Sequence, residues 1–186
     1  MKELREKALG VSKALRSAGV PHAVIGGLAV AAHVARVDET AQRNTQDLDI
    51  LLERGDLDRA TAALSPLGYK FRKVMRLHAF MPRRKGAKFG EGVLVIFAGE
   101  KVRDEYVAPA PHLQKDGVYV AVDGVCYLGL PELLTMKLTS FRLKDKVHVQ
   151  DLLQQRLITK KIEAALPPAL RQRLDEVKEE TAREQL

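Results

Sequence analysis

The sequence has no tryptophan, a single cysteine and an aromatic share of only 5% over 186 residues. The lone thiol, Cys126, excludes an internal disulfide and a thiolate zinc site, each of which needs several cysteines. A reducing compartment, the cytoplasm, is therefore the expected location. So few rings argue against a platform that stacks unpaired bases. Long apolar runs are missing as well: no stretch approaches the ~18 residues that read as a membrane helix. The opening MKELREKALGVSKALRSAG is charged throughout and lacks the apolar segment of a secretory signal. Neither export nor a membrane partner is expected. His22, His33, His78, His112 and His148 show no paired spacing of a metal-ligand set. Ser12, Ser140 and Cys126 lie in no nucleophile motif, and the glycines around Gly86 lack the G-x-x-x-x-G-K-[ST] order of a P-loop.

What is present suffices for one substantial core, since 46% of the residues are hydrophobic. The formal charge of +7 is unevenly spread. Between Lys70 and Arg103 ten basic residues face two acidic ones, so this stretch carries the whole excess. Such a field attracts polyanions through their phosphates, although a solvated basic loop has the same composition.

Leu4, Ala8, Val11, Leu15 and Ala18 recur at helical spacing, and Gly19 ends the run. His22 to Ile25 predicts a short strand, Gly26-Gly27 a sharp turn, and Leu28 to Arg36 an alanine-rich helix. Gln46 to Glu53 predicts a buried strand, followed by a helix from about Asp56 to Leu64. Tyr69 to Met81 and Gly92 to Phe97 are strand-like and flank the basic loop PRRKGAKFGEG. Gly117 to Tyr127 predicts a further strand or hairpin. Helical patterns follow over Glu132 to Arg142, His148 to Arg156, and beyond Pro167-Pro168. The expected architecture is α/β: a small mixed sheet core over 1–128, with a helical extension over 129–186 packed on it.

The chemistry concentrates in Val24-Ile-Gly-Gly-Leu28 and Arg43-Asn-Thr-Gln-Asp-Leu-Asp49. Side chains alternate along a strand, so Asp47 and Asp49 project to the same side. Two carboxylates so placed suit Mg²⁺ or Mn²⁺, which take a few carboxylates and complete their shell with phosphate oxygens. A glycine turn opening a helix complements them, because its backbone N–H groups approach phosphates closely. Arg43 is within reach of a phosphate, and Thr45 of the neighbouring loop or a carboxylate. Taken singly, each motif also describes an ordinary turn or a solvated strand end.

This combination resembles the nucleotidyltransferase superfamily, whose pattern is a G-G or G-S turn, a helix, and D-x-D on the next strand. The R-x-T-x-D-x-D form of Arg43 to Asp49 is most similar to abortive-infection (AbiE-type) toxin nucleotidyltransferases. The resemblance implies the nucleotidyltransferase fold, with Gly26 and Gly27 binding nucleotide and Asp47 and Asp49 binding metal. Met136 to Leu152 resembles the C-terminal pattern of the same group, which implies Lys137 as a phosphate or nucleotide ligand and Asp151 as an orienting or proton-accepting carboxylate. The implied reaction moves a nucleoside monophosphate from a nucleoside triphosphate to an acceptor hydroxyl. RNA such as tRNA, bound through the 70–103 basic segment, is the favoured acceptor; a protein or a small molecule such as an aminoglycoside is the alternative. A toxin of this kind would also have an antitoxin protein partner.

One position departs from the pattern. Many members carry a third aspartate on a later strand, and in Gly92-Val-Leu-Val-Ile-Phe-Ala-Gly-Glu100 that position falls at Leu94. Either Asp151, Glu100 or Asp104 replaces it, or the fold binds nucleotide, RNA or protein without catalysis.

Overall fold

The structure is a computed structural model that describes residues 1–113 and 119–184. Helix α1 (Lys2–Ser17) buries Ala8, Val11, Ser12 and Leu15 on one face, as its spacing dictates. Strand β1 (His22–Ile25) is buried along its whole length, and α2 (Gly26–Ala35) starts directly from it. Strand β2 (Leu48–Leu52), helix α3 (Leu57–Leu64) and strand β5 (Val93–Phe97) fall within the segments expected for them. Helix α4 (Leu130–Ser140) also agrees closely.

With β3 at Tyr69–Val74, β4 at Leu77–Pro82, β6 at Tyr119–Val122 and β7 at Val125–Leu128, seven strands form one mixed sheet in the order β3-β4-β5-β2-β1-β7-β6. The central pairs differ in sense: β1 runs antiparallel to β2, whereas β2 and β5 are parallel. That register puts Ile25 opposite Asp49 and Asp49 opposite Leu94. Two helical groups pack on the sheet, α1 with α3, and α2 with α4 and α5 (Leu143–Gln154). Leu133, Leu134, Leu138, Val149 and Leu152 enter the same apolar cluster as Leu28, Ile50 and Leu128.

The structure corrects several expected boundaries. Tyr69 to Met81 is not one strand but the hairpin β3 (Tyr69–Val74) and β4 (Leu77–Pro82). Its turn passes through Met75 at φ +54, and Met75 carries none of the side-chain features that usually mark a turn. Helix α5 begins at Leu143, five residues before the expected start at His148, because Asp145 caps it: the Arg142 N–H donates to Asp145 Oδ2. A short helix, α6 (Lys160–Ala165), precedes α7 (Pro168–Glu184) and is capped by Thr159. Of the strand expected from Gly117, residues 117 and 118 lie outside the described residues. Among the described residues no helix is long and apolar enough to cross a membrane.

Candidate active site

A cavity of about 340 Å³ opens where the end of β1, the start of β2 and helices α4 and α5 meet. Gly26, Gly27, Thr45, Asp47, Asp49 and Lys137 all line it, so six of the residues singled out in the sequence are brought together. Their assembly follows from the strand order. Because β1 and β2 are neighbours, the turn that ends β1 lies beside the start of β2, at Asp49.

Gly26 has φ +72, a left-handed conformation that glycine adopts without the penalty of a Cβ. A Cβ at that position would collide with the Asp49 carboxylate. At Gly27 a Cβ would lie 3.0 Å from Thr45 Oγ1 and 3.4 Å from His148 Cε1. The two glycines thus let the helix start come up against the carboxylate loop. Ile25, the N-cap of α2, supplies no side-chain acceptor. The first N–H groups of α2 therefore lack a capping partner and remain available to an anion.

Asp49 is strongly perturbed toward its protonated form. Burial, followed by the negative charge of Asp47, raises its carboxyl to about 6, against the pull of Lys137, Lys144 and Arg142. Its Oδ1 is buried and accepts no hydrogen bond. A buried carboxylate oxygen without a donor costs stability unless a proton or cation meets it. The hard oxygen donors of Asp47 and Asp49 suit Mg²⁺ or Mn²⁺. Among the described residues no group of three or more His, Cys, Asp or Glu is arranged to hold a metal. A cation there would have two protein carboxylates and would draw its other ligands from phosphate and water.

The opposite wall is built around Asp145, which the sequence reading passed over. Asp145 is buried and accepts from Lys137 Nζ at 3.1 Å, Ser140 Oγ at 2.7 Å and Arg142 Nε at 2.7 Å. Burial alone would raise its carboxyl, but the Arg142 hydrogen bond and the Lys137 charge outweigh it and hold the group at about 2. Burial lowers the pKa of Lys137, against the stabilising charge of Asp145. Lys144 also lines the cavity, is exposed and has no ion pair among the described residues. His148 completes this wall. Burial, then the nearby charge of Lys137, lowers it to about 4, so its ring is neutral at pH 7. Its Nδ1 is buried without a partner. Ile96, Val102, Pro109, Leu133 and Met136 supply the apolar part of the lining.

Two expected residues do not join the cavity. Arg43 Nε donates to both oxygens of Asp151, at 2.9 and 2.8 Å, so the pair joins the β2 approach to α5 and Arg43 is not directed at a phosphate. With its oxygens so engaged, Asp151 is not placed to accept a proton from a reacting group. The other replacement carboxylates are also elsewhere: Glu100 is ion-paired with Arg54, and Asp104 is exposed and outside the lining. Leu94 stands directly across from Asp49 on β5, and Ile96, two residues on, reaches the cavity. The side of β5 that faces Asp49 thus presents leucine and isoleucine where a third acid was sought. The signal that could have revealed Asp145 was local: it lies three residues after Arg142, at the spacing of a helix N-terminal cap.

No protein-family model matches the sequence, and no curated protein matches it. Solved structures with a similar course of chain include the antibiotic-resistance factor ANT(2'')-Ia in solution, at 12% identity and TM-score 0.49, covering 97% of this chain and 85% of that one. ANT(2'')-Ia in complex with adenylyl-2''-tobramycin matches at 14% identity and TM-score 0.41, over 92% and 91%. JHP933 from Helicobacter pylori matches at 12% identity and TM-score 0.38, over 100% and 95%.

Proposed function

We propose that the protein is a nucleotidyltransferase that moves a nucleoside monophosphate from a nucleoside triphosphate to an acceptor hydroxyl. One observation carries this reading: the Asp49 carboxylate, whose Oδ1 is buried without a donor, lies with its other oxygen against a glycine turn whose helix N-terminus has no side-chain cap from Ile25. A carboxylate and a phosphate bound at the neighbouring turn would repel unless a cation lay between them, as it does when a metal triphosphate binds. Asp47 and Asp49 would hold that cation, Mg²⁺ or Mn²⁺. Bound there, it would neutralise phosphate charge and ease ionisation of the attacking hydroxyl.

The chain's own groups supply the rest. The N–H groups at Gly26 and Gly27 receive phosphate oxygens, and Lys144 adds a free cation at the cavity wall. Lys137 and Asp145 neutralise each other beneath it and fix Arg142 at the cavity. The apolar lining excludes water from the reacting phosphate. The acceptor oxygen bonds to the α-phosphorus, the bond to pyrophosphate breaks, and pyrophosphate leaves. The acceptor proton goes to an oxygen of Asp47 or Asp49 that the cation leaves free, since Asp145, held at about 2, is too weak a base. RNA is the acceptor best supported by the basic 70–103 segment. The narrower likeness to AbiE-type toxins rests on Arg43 to Asp49 and belongs to this proposal.

A second reading, nucleotide binding without transfer, is favoured by Leu94 opposite Asp49. Labelled nucleoside triphosphates incubated with the protein, Mg²⁺ or Mn²⁺ and total RNA separate the two. Incorporation that disappears in the folded Asp47→Asn/Asp49→Asn protein supports transfer. Metal-dependent nucleotide binding with no incorporation under any of these conditions would leave the binding reading in its place.

A further inference from the structure

The hydrogen-bonded register continues beyond the site. Asp49 lies opposite Leu94, Leu94 opposite Ala79, and Ala79 opposite Arg72, so one row crosses four strands from a cavity carboxylate to a basic edge residue. Residues paired across a ladder project to the same side of the sheet, and Lys70, two residues from Arg72, projects with them. Three strand spacings of about 4.8 Å separate the ends of the row by about 14 Å.

At that edge an open trough runs along β3 and the Arg83–Phe89 segment. Lys70, Arg72, Lys73, Arg83, Arg84 and Lys85 line it. Only Arg84 has an acidic partner among the described residues, Glu91. Lys70, Arg72, Lys73 and Lys85 have none, a concentration of unneutralised charge that destabilises the protein unless an anion shares it. Arg83 is held in place by the Tyr69 carbonyl and Ser65 Oγ.

The trough also connects to the cavity along the chain. Phe89 lines the trough, and a Cβ at Gly90, the next residue, would come within 3.8 Å of Asp47 Oδ1. Lys7 Nζ donates to the carbonyls of Glu91 and Gly92, both at 2.7 Å, which ties this connecting turn to α1.

From these placements we infer that the trough is the track for an RNA acceptor, gripping its phosphates while the strand's terminal hydroxyl reaches Asp47 and Asp49. This rests on the RNA-acceptor reading above. An acceptor that touches both ends must span about 14 Å and carry negative charge to match the trough, as a strand with a charge on every nucleotide does. Phe71 turns away from the trough to pack on Phe80, and among the described residues Phe89 is the one aromatic residue lining it. Recognition is therefore through phosphates and independent of sequence.

The test is fluorescence anisotropy of a labelled single-stranded RNA against KCl, without nucleotide or divalent metal, so it reads the trough whether or not the carboxylates catalyse transfer. The variant K70Q/R72Q/K85Q removes three trough cations. The control K13Q/K160Q/K161Q removes three exposed lysines elsewhere, at the same net charge. Each phosphate contact on a single strand contributes about 0.7 to the slope of log K against log salt. The trough variant should flatten that slope by about 2 and weaken binding at 0.1 M salt by up to about 100-fold, with the control near wild type. Equal losses in both variants would reduce the effect to net charge and overturn the track, as would an unchanged slope in the trough variant. Competition by an acidic polypeptide of matched charge as effective as unlabelled RNA would also overturn it, since the surface would then be a general anion or protein contact.

Discussion

Asp49 ties the stability of the protein to pH in a direction opposite to that of most carboxylates. Burial and Asp47 raise its carboxyl from the ordinary 3.8 to about 6 in the folded protein. The folded chain therefore binds a proton that the unfolded chain has already released between those pH values, so stability falls as pH rises from about 4 to about 6. Above that range the loss is complete. The gap of about 2 pH units, at 1.36 kcal/mol each, sets the cost of keeping Asp49 charged at about 3 kcal/mol. Asp49→Asn removes the charge at nearly constant shape. The variant should be more stable than wild type by about 1 to 3 kcal/mol at pH 8, with the difference shrinking toward zero near pH 4. Urea unfolding of both proteins at pH 4, 6 and 8 in chelator measures this directly. Added Mg²⁺ should then stabilise wild type at pH 8 and leave the variant nearly unchanged. A stability difference that is flat from pH 4 to pH 8 would refute the argument, since it would show that Asp49 carries no uncompensated charge in the fold.

Two further substitutions test other parts of the site. Gly26→Ala forces a side chain into the left-handed region and against the Asp49 carboxylate; it should cost at least about 1 to 2 kcal/mol and abolish nucleotide binding by calorimetry, whereas retained binding would show that the turn has no close approach to make. Asp145→Ala leaves Lys137 as a buried cation without its partner and should cost about 3 to 5 kcal/mol in urea unfolding, most of it recovered in Lys137→Met/Asp145→Leu. A double variant as unstable as the single one would show that the loss comes from packing and not from the stranded charge.

Much of the site was legible along the chain because its parts are local. A glycine pair between an apolar strand and an alanine-rich helix needs only neighbouring residues to specify a positive-φ turn, and Gly26 has that conformation. Asp47 and Asp49 were expected on one side because a strand alternates; β2 begins only at Leu48, one residue after Asp47, yet both carboxylates line the cavity. The hairpin at Met75 was missed for the converse reason: strand-forming residues continue through it, and the pairing of β3 with β4 closes a turn that no glycine, proline or asparagine marks.

What the sequence determined by itself was therefore periodicity, the turn, and the two carboxylates. Tertiary structure decided which charges meet. Arg43 and Asp151, 108 residues apart, neutralise each other outside the cavity, while Lys137 and Asp145 pair beneath it. Sheet order placed Leu94 across from Asp49 and set Arg72 at the far end of the same row. Such contacts depend on how elements pack, and any basic residue has many acids within its sequence but few within 4 Å. A charged side chain acquires its role from the partner and the burial that folding assigns to it, and neither is written in its neighbours along the chain.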